Sequence, residues 1–192
     1  MNVSAKPPRF PQLTMEQLNP EQRVLAEEIL KFSRVGISGP YNIMLRSPKM
    51  LRRMLDLLDY LRWNTSLPLS LNEFAILIVG RRWRSQIEWY AHVPIALKAG
   101  LSQAIIDQLK KNKRPEGMKD DEAIVYDFCT ELAAKHEVSD ATFERARRIL
   151  GEQQVVDLVT VSGTYVTVAM LLAVAEAMPP DGAEPPFKPG EP

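Results

Sequence analysis

Apolar residues recur along the chain at helical spacing almost everywhere, and alternation of period two never outlasts the 3.6-residue period. The first such segment starts at Asn19-Pro20-Glu21, with Asn as N-cap, Pro in the first turn and an acid behind it. It carries Val24, Leu25, Ile29, Leu30 and Phe32 and stops before Gly36. Gly39-Pro40 opens a short helical piece. Ser47-Pro48 then starts a helix with Met50, Leu51, Met54, Leu55, Leu58 and Leu61 on one side. Ser70 and Glu73 have capping-box spacing, so a helix is expected over 71–80, apolar nearly all round and therefore buried. A basic turn at Gly80-Arg81-Arg82 leads into a helix over 83–98, capped by Gly100. Ser102 caps a short helix to about residue 111, and further helices follow over 120–135 and 139–150. After Gly151 a last long helix is expected to reach about residue 178. The fold class is all-α.

The two ends differ from this body. Residues 1–18 contain Pro7, Pro8 and Pro11 without helical period and read as an extended arm, placed against a neighbouring subunit. Residues 179–192 hold six of the 15 prolines and read as a mobile tail. One helical domain is expected between them, over residues 19–178.

Composition narrows function by exclusion. The hydrophobic fraction of 45% supports a core, and 24 basic against 24 acidic residues leave no formal net charge. No nucleic-acid or membrane partner is expected, and the basic cluster Arg46, Lys49, Arg52 and Arg53 reads as a solvated helix face. The apolar stretch over 155–178 is interrupted by Asp157, Thr160, Ser162, Gly163, Thr164, Thr167 and Glu176, so it reads as a buried helix rather than a membrane span. The single cysteine, Cys129, permits no disulfide, CxxC pair or cysteine-based zinc site within one chain, and sits on an apolar face. A free thiol and the absence of a signal-like N-terminal run fit a cytoplasmic location.

Chemistry concentrates in residues 73–100, the one stretch where an acid, an imidazole, a hydroxyl and aromatics crowd together. Glu88 and His92 are four apart and share a helix face; on a helix Ser85, seven before His92, returns to it, and Trp89 borders it. If the two helices pair as a hairpin, Glu73 approaches the same face. A carboxylate beside an imidazole can orient it and pass a proton at neutral pH. A Ser85-His92-Glu triad lacks a G-x-S-x-G elbow, and no HExxH pattern supports a metal. The same spacing also suits an ordinary structural Glu–His hydrogen bond with Trp83 and Trp89 as core. His136, at a helix end beside Lys135, suits the helix dipole.

The pattern Glu73, eleven residues, Ser85, two residues, Glu88, three residues, His92, followed by Ala99-Gly100, resembles the carboxymuconolactone decarboxylase family, which includes the alkylhydroperoxidase D-type proteins. The peroxidase branch of that family has cysteines where this chain has Ser85 and Glu88. GPYNIMLRSPKM and LPLSLNEFAILIVGRRW are similar to the decarboxylase-like branch, and the likeness covers residues 20–175. The resemblance implies an all-α fold with the site on a helical hairpin, and a homotrimer or homohexamer. It puts His92 and Glu73 on functional positions. With both motif cysteines absent, a thiol peroxidase is not expected. The reading that follows is a cofactor-independent lyase on a small carboxylated lactone or related acid, with no metal. His92 would move the proton, Glu88 or Glu73 would orient it, Arg81 or Arg82 would hold the substrate carboxylate, and Trp83, Ser85, Trp89 and Tyr41 would line the pocket. The alternatives are a non-catalytic helical oligomer that binds a small molecule or partner, and a hydrolase or isomerase in the same pocket.

Overall fold

A computed structural model describes residues 7–33, 36–180 and 183–188. Among these the chain is all-helical. In order, the helices are α1 (Pro20–Leu30), α2 (Pro40–Met44), α3 (Pro48–Asp59), α4 (Leu69–Arg82), α5 (Gln86–Lys98), α6 (Gln103–Lys110), α7 (Asp120–Lys135) and α8 (Asp140–Ala175). One π-helical turn, Tyr60–Asn64, continues α3, and a 3-10 turn, Met15–Gln17, precedes α1.

The centre is α4. Eleven of its 14 residues are buried, since α5, α7 and α8 pack around it. Leu71, Phe74, Ile76, Leu77 and Ile124 are among the fully enclosed side chains of this core. A second apolar cluster ties α1, α2 and α3 together through Ile29, Met44, Leu45 and Leu51.

Helix starts follow the expected chemistry at Asn19, Ser102 and Ser139, whose side-chain oxygens accept from the backbone N–H of Gln22, Ile105 and Thr142. The Ser70–Glu73 capping box does not form. Pro68 is the N-cap of α4, so Ser70 lies inside the first turn and Glu73 is left free to turn inward. The break expected at Gly80-Arg81-Arg82 also lies elsewhere, because α4 runs through to Arg82. Arg84 takes a left-handed conformation (φ 50°), Ser85 N donates to Gly80 O (2.8 Å) and Arg84 N to Arg81 O (3.1 Å). That double bond is a Schellman closure. The turn is therefore Trp83-Arg84-Ser85, and Ser85 is the N-cap of α5 rather than a residue within a helix. Glu176 ends α8 in the same way, with φ 54° and Ala177 N donating to Leu172 O, three residues short of the expected end.

In α8, Gly151 has φ 78° and ψ 165°, which divides the helix at the expected place. By length and composition α8 would suffice to cross a bilayer. Here Leu158, Val161, Tyr165, Val168 and Leu172 of its second half serve the core, together with the buried Asp157. That carboxylate accepts from Tyr60 Oη (3.0 Å), Thr65 Oγ1 (3.0 Å), Ser66 N (2.8 Å) and Ser66 Oγ (2.6 Å), fastening the π turn and the following loop to α8.

Both polar ends pack on this same chain where they are described. Leu13 exchanges two 3.0 Å hydrogen bonds with the buried Asn42 side chain, and Arg9 pairs with Glu176 (2.6 Å). In the tail, expected to be mobile, Phe187 is 3% exposed and meets the Trp89 ring edge-on at 5.2 Å. Gln86 holds the Phe187 backbone by donating to its O (2.7 Å) and accepting from its N (3.0 Å). An aromatic ring and a two-point amide contact anchor a segment whose proline content alone suggests none.

Candidate active site

The α4–α5 hairpin brings Glu73, Ser85, Glu88 and His92 into the interior, all below a tenth exposed. Glu73 Oε2 accepts from or donates to His92 Nδ1 at 2.7 Å, a distance that fixes the ring orientation. Tyr165, from α8, meets the His92 ring edge-on at 5.1 Å. His92 Nε2 makes no hydrogen bond among the described residues, which leaves it as the ring nitrogen available to a ligand.

Glu88 does not pair with His92. Both of its carboxyl oxygens are buried without a hydrogen-bond partner, as is Ser85 Oγ. Burial pushes the Glu88 carboxyl up to about 8; the nearby Ser85 hydroxyl acts in the opposite direction but lacks hydrogen-bonding geometry to it. At neutral pH Glu88 is thus mostly a neutral acid, a donor beside the imidazole rather than a second anion. The choice left open by the sequence, Glu73 or Glu88 as the group that orients His92, falls to Glu73. Ser85 makes no hydrogen bond to His92, so the nucleophile–base contact of a serine hydrolase is missing.

The other residues expected to serve a substrate are scattered. Trp83 lies on the interhelical turn, 37% exposed, and lines a cavity of about 200 Å³ with Arg84, Ser85 and the end of α8. Trp89 is a core residue turned to Phe187. Arg81 Nε donates to Lys110 O (2.8 Å) and its guanidinium lies 5.5 Å from the Phe187 ring centre; Arg82 Nη2 donates to Ala133 O (2.5 Å). Both arginines are engaged in holding helices and the tail, away from the Glu73–His92 pair. Tyr41 is buried and lines a different cavity, of about 420 Å³, between α1, α3 and the π turn.

Tyr165 is a neighbour of the site that the sequence pattern does not single out. Its place in a long apolar helix gives no polar signal, and only the packing of α5 and α8 on the same central helix, α4, sets it beside His92. Burial raises its phenol well above the ordinary range; the Arg62 charge opposes this, and the Glu73 charge adds to it. Cys129 lies in the core, its Sγ 3.5 Å from Ser162 Oγ, and burial pushes its thiol up to about 12. No cluster of three or more metal-binding side chains occurs among the described residues.

No family model and no curated protein matches the chain. Among solved structures it is similar to the crystal structure of the alkylhydroperoxidase AhpD core of an uncharacterized peroxidase-related protein from Ralstonia eutropha. The superposition has a TM-score of 0.74 at 18% identity and covers 92% of this chain and 95% of that one. The fold is that of the AhpD core. At that identity the likeness carries the all-α architecture; the chemistry of this chain rests on its own side chains, and neither Ser85 nor Glu88 is a thiol.

Proposed function

We propose that this protein is a cofactor-independent carboxy-lyase-type enzyme that acts on a small carboxylated lactone or related acid by proton transfer. The observation that carries the reading is the buried 2.7 Å contact between Glu73 and His92, next to a carboxyl that burial keeps neutral. In the reaction the bond from carbon to the leaving carboxylate breaks, and its electron pair moves into the conjugated lactone carbonyl as a dienolate. With His92 as imidazolium, Glu73 faces Nδ1–H and the proton on Nε2 passes to the carbon. Carbon dioxide leaves, and the imidazole recovers a proton from solvent. A neutral Glu88 can donate to the developing enolate oxygen, where an ionised one would repel it.

The experiment is direct. With carboxymuconolactone as substrate, carbon dioxide release by the purified protein should fall roughly 10²–10⁴-fold on His92→Ala. Turnover that survives the substitution would remove His92 from the mechanism. Absence of turnover on any small carboxylated lactone would favour a non-catalytic binding role.

Homo-oligomerisation and a cytoplasmic location belong to the same reading. The support for assembly is a row of apolar side chains on the outer face of α8, namely Val156, Val159, Met170 and Val174, each more than 40% exposed. Light scattering that returned a monomer mass of 21.7 kDa at micromolar concentration would count against it.

A further inference from the structure

The cation expected to meet a substrate carboxylate is not Arg81 or Arg82, since both are committed to backbone carbonyls. Arg62 is different. It lies in the π turn, lines the 420 Å³ cavity, and among the described residues forms no hydrogen bond or ion pair; its Nε is buried without a partner. Asp59, one turn back, accepts instead from Asn64 Nδ2 (3.2 Å). The guanidinium carbon stands 5.0 Å from the centre of the Trp63 ring, a cation–π contact that uses none of its N–H donors.

The backbone under Arg62 is fastened on both sides. Asp157 holds Tyr60, Thr65 and Ser66, and Asn72 Nδ2 donates to Leu61 O at 2.9 Å. Asn72 directly precedes Glu73 in α4, so one helix supports both the arginine turn and the His92 partner. A π turn inserted at the end of a regular helix re-aims its side chains, and such turns are frequent at functional sites. The cavity walls are Phe32, Tyr41, Leu55, Leu58 and Trp63. Its other charges are held elsewhere or open to water: Glu28 is bound by Arg52 (2.8 Å), and Lys31, Asp56 and Asp59 lie on the exposed rim. Tyr165, which meets the His92 ring edge-on, feels the charge of Arg62 as well as that of Glu73.

We infer that the cavity between α1, α3 and the π turn binds a small aromatic or unsaturated carboxylate through the Arg62 guanidinium. Its volume suits a single-ring acid. The planar fork of arginine matches a carboxylate by two parallel hydrogen bonds, and the aromatic walls match a flat ring. The cavity beside Trp83 is the weaker candidate, because its arginine, Arg84, donates to Lys188 O (2.6 Å).

This inference rests on the proton-transfer reading for its substrate class, but its test does not need turnover. Benzoate and its neutral isostere benzamide are titrated into the full chain by calorimetry. Benzoate is expected to bind at millimolar concentration and benzamide at least tenfold more weakly. Arg62→Gln should weaken benzoate at least tenfold and abolish the preference, and Arg62→Lys should fall between, with thermal unfolding as the control for folding. Equal binding of the two ligands, no benzoate binding by the wild-type chain, or unchanged benzoate affinity in folded Arg62→Gln would overturn the inference. Benzoate binding without lactone turnover would leave the Arg62 site standing and sink the lyase reading; lactone turnover undiminished in Arg62→Gln would do the reverse.

Discussion

Glu88 gives the most quantitative prediction. Its carboxyl is pushed from an ordinary 4.5 to about 8 in the folded protein because it is buried without a hydrogen-bond partner. Between these two values the folded state holds a proton that the unfolded chain has released. Stability then falls as pH rises, by about 1.4 kcal/mol per pH unit from this group. The loss begins near the unfolded value and levels off above the folded one, where both states are ionised. From pH 6 to pH 8 Glu88 alone should cost about 2 kcal/mol, the slope easing as the folded value is approached. Glu88→Gln removes the titration and keeps the shape. Urea unfolding of both proteins from pH 5 to pH 9 separates this group from every other titrating one, since only the difference between the two curves is read. Wild type should lose stability relative to the variant from pH 5 towards pH 8, and the difference should level off above that. Parallel curves would show that Glu88 is ionised in the folded protein, and the neutral donor beside His92 would go with it.

Further outcomes follow from the packing. Asp157→Ala strips the π turn and its following loop of an acceptor shared by Tyr60, Thr65 and Ser66, and should destabilise by about 3 kcal/mol in chemical denaturation; a change within experimental error would refute the clamp. Burial opposes ionisation of Asp157, but the hydrogen bonds from Ser66, Tyr60 and Thr65 outweigh it and lower its pKa, so its contribution is present above the unfolded value and is lost as pH falls; Asp157→Asn should flatten that acid limb. Phe187→Ala should cost about 3 kcal/mol and make the C-terminal segment readily cleaved by protease, whereas a Tm unchanged from wild type would mean the tail does not pack on Trp89. Cys129 should resist a thiol reagent at pH 8 in the native protein and react once in guanidinium, and rapid labelling of native protein would contradict its burial.

What was legible in the sequence divides along a physical line. Helix starts were legible because Asn19, Ser102 and Ser139 cap through local side-chain bonds that depend on spacing alone. Helix ends were legible where glycine supplies the left-handed residue, as at Gly100. They were misplaced at Arg84 and Glu176, which adopt the same backbone without being glycine. The first of these moved Ser85 out of the helix and shifted the hairpin turn from Gly80 to Trp83-Arg84-Ser85. The Glu73–His92 pair could be anticipated from a hairpin of two neighbouring helices. The partner choice could not, because i,i+4 spacing favours Glu88, and only packing shows that Glu88 is isolated. Arg62 and Tyr165 were illegible, since one owes its exposure to a π turn and the other its position to a contact between α5 and α8 over 70 residues apart in sequence.

The most direct test of proton transfer by Glu73 and His92 is a double-mutant cycle on kcat/KM for carbon dioxide release from carboxymuconolactone. If Glu73 acts only by holding His92, Glu73→Gln slows the wild-type enzyme but leaves His92→Ala no slower than before, because residues that act as a unit are not additive. A double variant slowed by the product of the two single effects, with all three variants folded, would show that the two residues work independently and would contradict the dyad.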